Sequence, residues 1–254
     1  MSDGLAGKVA LITGAGQGIG QGIAFSLAKR GVKVVAVGRT LSKCEDTVAK
    51  INDRFDGEAL AIECDISNLD ALPGVIEQAA SHFGRLDILV NNAVSATIKP
   101  LLGLTLEDIN KAMITGPTAT LLLMQAAYPH LKKQGGSIVN MASSAAKRWD
   151  MSNYGLYAAE KEAIRALTRT AASEWGADNI RSNCILPHAK SPALAWWTAN
   201  RPEEAAAFVK TIPMQRIGEC EEDIGEFVAM LCSEQSRYVS GQSIAVDGGQ
   251  AFMG

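Results

Sequence analysis

The stretch Thr13-Gly14-Ala15-Gly16-Gln17-Gly18-Ile19-Gly20 decides how this chain is read. An apolar run, Val9-Ala10-Leu11-Ile12, leads into it, and an amphipathic segment, 23–29, follows. The order is strand, glycine turn, helix. Gly14 permits a tight exit from the strand. Gly18 has no side chain where a pyrophosphate would approach the backbone, and Gly20 lets the helix pack closely on the strand. Gly16, Gln17 and Ile19 complete the phosphate-facing turn, and free N–H groups at the helix start would hold the phosphates. An ordinary βα turn has no need of so many glycines; placed after a strand and before a helix, the pattern points to a dinucleotide site.

Outward from this turn, apolar runs alternate with helical patterns. Strands are predicted at 9–12, 33–37, 59–62, 87–90, 137–141, 181–186 and 243–246, and helices at 19–30, 43–55, 69–83, 106–132, 153–175 and 222–232. Short apolar strands, each followed by a helix, imply a parallel sheet covered on both faces. Right-handed crossovers make it a doubly wound α/β, Rossmann-type fold of about seven strands, one domain over 1–254. The segment 187–218 interrupts the rhythm before the last helix and reads as a lid over a substrate.

Composition bounds the function. A net charge of −3 over 254 residues gives no electrostatic case for nucleic acid or an anionic membrane. The first eight residues are not a signal peptide, and the apolar segment 119–127 is too short to span a bilayer. The five cysteines form no CxxC and no metal-like cluster, and their odd number suggests reduced thiols in the cytoplasm.

A second pattern carries chemistry. Tyr157 and Lys161, at i and i+4, share one face of a predicted helix. An ammonium beside the phenol is expected to lower its pKa, so that Tyr157 can exchange a proton with an alcohol or carbonyl oxygen near neutral pH. Ser144, on the loop after the strand ending at Met141, stands at the sheet edge where such folds bind ligands and can hold the same oxygen.

With these residues in place the chain resembles the short-chain dehydrogenase/reductase family over essentially its whole length. The matching pieces are Thr13–Gly20, Asp65-Ile66, the run LDILVNNA at 86–93, Ser144, Tyr157/Lys161 and Val246-Asp247-Gly248-Gly249. The resemblance implies a nicotinamide cofactor and hydride transfer at a carbonyl or hydroxyl carbon. It makes Tyr157 the general acid/base, Lys161 its tuner and the holder of the nicotinamide ribose, and Ser144 the orienter of the substrate oxygen. It places Asp65 and Ile66 at the adenine, Asn91 and Ala93 along the cofactor groove, and Pro187 at the carboxamide. It also implies a homotetramer or homodimer. Cofactor choice is argued physically: the position where a carboxylate would accept the ribose hydroxyls is Gly38, followed by Arg39. A guanidinium there suits a 2′-phosphate, which favours NADP(H) over NAD(H), although Gln17 stands where many NADP-preferring relatives are basic.

Three departures surround the nicotinamide end. An asparagine expected in the long fourth helix is Gly116, followed by Pro117; the proline frees the carbonyl of Met113 and predicts a kink. Val94 replaces a glycine and narrows the neighbouring space. Pro187-His188 replaces a Pro-Gly, leaving His188 either a substrate or proton-relay residue or a loop residue without chemistry. Ser191 stands in for a threonine if one residue is deleted. Candidate pocket walls are Val94, Trp149, Trp196 and Trp197, which suit a hydrophobic or ringed ketone or alcohol; the two lid tryptophans equally suit packing or a subunit interface. Lys147, Arg148, His188 and Lys190 suit an acidic group instead. Two other readings stand beside the oxidoreductase: non-redox chemistry on the same scaffold, and a nucleotide-binding protein with weakened catalysis.

Overall fold

A computed structural model describes residues 3–147 and 152–251. Seven parallel strands form one sheet: β1 (Val9–Thr13), β2 (Lys33–Gly38), β3 (Ala59–Glu63), β4 (Ile88–Asn91), β5 (Gly136–Met141), β6 (Ile180–Pro187) and β7 (Ser243–Val246), in the order β3-β2-β1-β4-β5-β6-β7. Each predicted strand is present, with ends moved by a residue or two. Helices α1 (Gly18–Ala28), α2 (Leu41–Phe55), α3 (Leu72–Phe83), α4 (Leu106–Met113), α5 (Ala119–Leu131), α6 (Gly155–Trp175), α7 (Pro192–Asn200), α8 (Pro202–Val209) and α9 (Glu226–Cys232) account for the predicted helical segments and for most of the 187–218 interruption. The chain reverses its direction of winding between β1 and β4, which opens a crevice at their C-terminal ends.

The strands are apolar on both sides because each side faces its own core. One core gathers Ala10, Ile12, Val34 and Ala36 with α1 and α9; the other gathers Leu11, Val35, Leu89 and Ile138 with α3 and α5. Alternate residues of one strand therefore enter opposite cores. At the N-terminal edge the buried Asp87 ties the layers together. Its carboxylate accepts from the Val9 N–H at 2.8 Å, from two Arg85 nitrogens at 2.7 and 2.8 Å, and from Gln134 at 3.0 Å.

Two features of the helices bear on function. The single long helix predicted over 106–132 is broken: α4 and α5 are joined by a π-helical turn, Ile114–Thr118, in which Gly116 leaves helical geometry at φ −94°, ψ −105°. The break sits at Pro117, which has no N–H for the helical ladder. The second feature is a seam between α1 and the π-helical turn Cys220–Gly225 that leads into α9. A Cβ on Gly22 would lie 2.3 Å from the Cys220 carbonyl oxygen, and one on Gly225 would lie 2.5 Å from the Gly22 carbonyl oxygen. Backbone meets backbone there, and only glycine fits at either position.

Candidate active site

The crevice at the ends of β1 and β4 is a cleft of about 950 Å³. Gly14, Gly16, Gln17, Gly18 and Ile19 form its floor, with Arg39, Asp65, Ile66, Ala93 and Val94 along its sides. Gly14 turns out of β1 at φ +69°, a conformation open to glycine, and Gly20 is buried where a Cβ would fall 2.3 Å from the Gly14 carbonyl oxygen. Gln17 precedes α1 in an extended conformation and makes no side-chain cap. The first N–H groups of α1 are thus left to an anion, as a dinucleotide's pyrophosphate requires. The glycine cradle, the uncapped helix and the volume together fit such a group.

The structure redistributes several sequence-predicted residues. Asn91 is buried in the sheet with its amide donating to Asn140 Oδ1 at 2.8 Å, so it does not line the cleft. Its neighbour Asn92 lines the cleft instead and donates to the Thr13 carbonyl at 2.9 Å. The reason is where β4 ends: Asn91 is its last residue and stays in the sheet, while Asn92 begins the loop at the crevice. Pro187 ends β6 outside the cleft lining, where Ser191 and Pro192 take its place. A Cβ on Gly18 would come within 3.0 Å of Pro192 Cδ, so the start of α7 touches the glycine turn. Lys43, on the first turn of α2, is a residue the sequence reading did not single out. Its ammonium donates to Gln17 Oε1 at 2.9 Å and lines the cleft beside Arg39. Asp65 accepts from the Ser67 N–H at 2.9 Å, which chiefly holds its carboxyl below the usual range, with Arg39 adding to the effect.

Tyr157 and Lys161 lie on α6, one strand further along the sheet, outside the cleft lining. Lys161 is 3% exposed; its ammonium donates to the Met141 carbonyl at 3.2 Å, at the end of β5, and sits 5.4 Å from the centre of the Tyr157 ring. Burial lowers the Lys161 pKa. The expected lowering of the Tyr157 pKa is not what the structure gives. Burial pushes the phenol up to about 12, Glu160 and Tyr154 add to that, and only a hydrogen bond with Ser143 opposes it. The phenol's partner is thus Ser143, the residue before Ser144, and the sequence reading did not single it out. Ser144 is buried and opens the short 3₁₀ turn Ser144–Ala146 directly after β5.

The predicted substrate residues are spread out. Val94 is 45% exposed on the cleft wall. Trp197 packs edge-on against Phe208 at 5.7 Å between ring centres, and His188 meets the same ring at 5.4 Å. His188 lines a second cavity of about 390 Å³ with Arg216, Asp223 and Asp247, apart from the cleft. Trp196 is 67% exposed. Trp149 and Arg148 lie outside the described residues. Among the described residues no helix is long and apolar enough to cross a membrane.

The sequence matches the family described as "Enoyl-(Acyl carrier protein) reductase" over residues 14–251. It is 36% identical over 250 residues to a 12alpha-hydroxysteroid dehydrogenase of a Clostridium species, covering 96% of each chain. The fold superposes with a TM-score of 0.91 and 34% identity on a 7α-hydroxysteroid dehydrogenase complexed with NADH and 7-oxo glycochenodeoxycholic acid, covering 98% of this chain and 96% of that one. It superposes with a TM-score of 0.89 and 29% identity on L-sorbose reductase from Gluconobacter frateurii complexed with NADPH and L-sorbose, covering 98% of both. The cleft at the strand ends and the match along nearly the whole sequence agree: this chain belongs to the short-chain dehydrogenase/reductase family of NAD(P)-dependent oxidoreductases acting on CH–OH and C=O groups.

Proposed function

We propose that the protein is an NADP(H)-preferring ketone reductase for an apolar, ringed substrate, with Tyr157 as its proton donor. The observation that carries this reading is the pairing of Tyr157 with the buried Lys161 at the end of β5, beside the cleft. The nicotinamide, when bound, supplies or accepts the hydride. The chain's own part is the proton. With its pKa near 12 in the free protein, the phenol holds its proton through the neutral range and can give it to the oxygen of a carbonyl being reduced. Ser143, hydrogen-bonded to the phenol, and Ser144, next to it at the same strand end, supply the hydroxyls that orient that oxygen.

The cofactor preference rests on two cations rather than one. Arg39 and Lys43 flank the same part of the cleft, and Lys43 stands on Gln17, the position whose lack of charge argued against NADP(H). A 2′-phosphate would meet a guanidinium and an ammonium there, with no carboxylate at Gly38 to repel it. The reading of a ringed, apolar substrate is supported by Val94, exposed on the cleft wall, and by the 7-oxo glycochenodeoxycholic acid bound to the 7α-hydroxysteroid dehydrogenase. The α7–α8 segment acts as the lid. Leu101, Leu102 and Leu106, each at least 71% exposed, support self-association. The buried, unpaired thiols suit a reducing compartment such as the cytoplasm.

Parallel fluorescence titrations with NADPH and NADH test the cofactor reading. NADPH is expected to bind at least tenfold more tightly, with the difference lost in Arg39→Ala/Lys43→Ala. Tighter NADH binding would reverse the preference and leave the oxidoreductase assignment standing.

A further inference from the structure

Glu160 is a carboxylic acid in a place that gives it almost nothing to bind. It is 0% exposed, and neither carboxyl oxygen has a hydrogen-bond partner among the described residues. Among the described residues its charged partner is Lys161, with Nζ 3.7 Å from Oε1, an ion-pair distance too long for a good hydrogen bond. The site is built from both sides. Across from Glu160 is Gly116, in the broken turn between α4 and α5. A Cβ on Gly116 would already touch the Glu160 Cβ at 3.4 Å and its Cδ and Oε2 at 3.5 Å. A residue with any real side chain at 116 would take the volume the carboxyl now fills. Ile114 and Thr115 of the same turn line the cleft, so the carboxyl lies directly behind the cleft wall.

A buried acid without partners is costly and persists where something else compensates. Here the compensation is the neighbouring ammonium, which is itself buried and held by a single carbonyl. We propose that Glu160 is a positioning residue for the proton-transfer pair: its carboxyl occupies the space left by Gly116 and sets the charge and position of Lys161, and through it the behaviour of Tyr157. The ionisable groups around the pair are few. Tyr157 and Tyr154 lie on the α6 side, and Cys184 of β6 faces Lys161 with Arg165 beyond it. Lys161 is the one charged group acting on Glu160. Burial raises the Glu160 pKa to about 7, against the opposing pull of the Lys161 ammonium. This inference rests on Tyr157 being the proton donor.

The test uses Glu160→Gln, which keeps the shape and removes the charge, together with a side-chain exchange across the space, Gly116→Asn with Glu160→Ser. For carbonyl reduction, Glu160→Gln is expected to lose the step near pH 7 in the kcat profile and to lower kcat at least tenfold, while the Kd for NADPH changes less than threefold. The sign in the cofactor-free protein is fixed by linkage. An acid whose folded pKa is raised binds its proton more tightly in the fold, so wild type loses stability as pH rises from about 4.5 to about 7. The melting temperature of wild type is therefore expected to fall relative to Glu160→Gln across that window and to run parallel above it. Gly116→Asn alone should melt well below wild type, and the exchanged double variant should recover most of that loss and most of the kcat lost in Glu160→Ser. An unchanged pH profile with kcat within twofold in Glu160→Gln would overturn the positioning role. Additive melting shifts in the exchange would overturn the shared space. If no carbonyl compound is turned over, the functional reading fails. The pH dependence of the melting temperature, compared between wild type and Glu160→Gln, then decides the inference: parallel curves from about pH 4.5 to 7 reject it.

Discussion

At the residue scale, the ionisation of Tyr157, the proposed proton donor, is set by burial rather than by its charged neighbour. The spacing of Tyr157 and Lys161 was legible because four residues bring side chains to one helix face. The direction of the phenol's pKa was not. A sequence shows the lysine but not the water excluded around the tyrosine, and exclusion dominates. Tyr157→Phe is expected to fold, bind cofactor and lose turnover about a thousandfold, as removal of a general acid does. Because the phenol is neutral below about 12, reduction by Glu160→Gln, freed of the Glu160 step, should hold its rate through the neutral range, while alcohol oxidation, which needs the phenolate, should climb steadily toward alkaline pH. Initial rates in both directions from pH 6 to 10 check this. An oxidation rate that is flat with pH would mean that the phenol ionises far more easily once substrate and cofactor surround it. Glu160 was illegible for a related reason: helical periodicity places it beside Lys161 in sequence but does not reveal the hollow at Gly116 that receives it.

At the scale of elements, the strand-turn-helix unit was the easiest part to read, since apolar runs bounded by glycines leave few alternatives. Its geometry makes a sharp prediction. Gly20→Ala would place a methyl 2.3 Å from the Gly14 carbonyl oxygen, inside a backbone contact that has no slack. It should cost about 3 kcal/mol, the upper end of what overpacking usually does, and weaken binding of either cofactor. Urea unfolding with matched m-values would register the first effect, and the titrations above the second. The fourth helix shows where pattern reading stops. Pro117 announced a break, but its form, a π-helical turn with Gly116 out of helical geometry, depends on what packs against it from α6. The exchange of Asn91 for Asn92 is a register effect. A strand predicted one residue too early, at 87–90 rather than Ile88–Asn91, leaves open which of two adjacent asparagines faces the crevice. Lys43 needed the third dimension, because α2 must be laid beside the glycine turn before its ammonium meets Gln17.

At the scale of the whole molecule, the sheet order follows from alternating elements and the handedness of their connections, and the sequence carried it almost completely. The tie between layers was hidden, because Asp87 reads as a strand-start acid and only the fold shows four donors converging on it. Asp87→Ala strands the buried Val9 N–H and releases Arg85 and Gln134. A loss of about 3 kcal/mol is expected, with cofactor affinity nearly unchanged because the residue lies at the opposite edge of the sheet from the cleft. A chemical-denaturation midpoint measured beside an NADPH titration separates the two effects. The glycine seam between α1 and the Cys220–Gly225 turn bears on how the protein is made. The helix that would hold the pyrophosphate leaves the ribosome long before the backbone that closes over it, since Gly22 and Cys220 meet in space but stand far apart in sequence. A nascent chain can assemble β1, β2 and β3 early, but α1 keeps one flank bare until the Cys220–Gly225 turn has been synthesised. That flank of the helix is therefore closed only after every strand but β7 has been made.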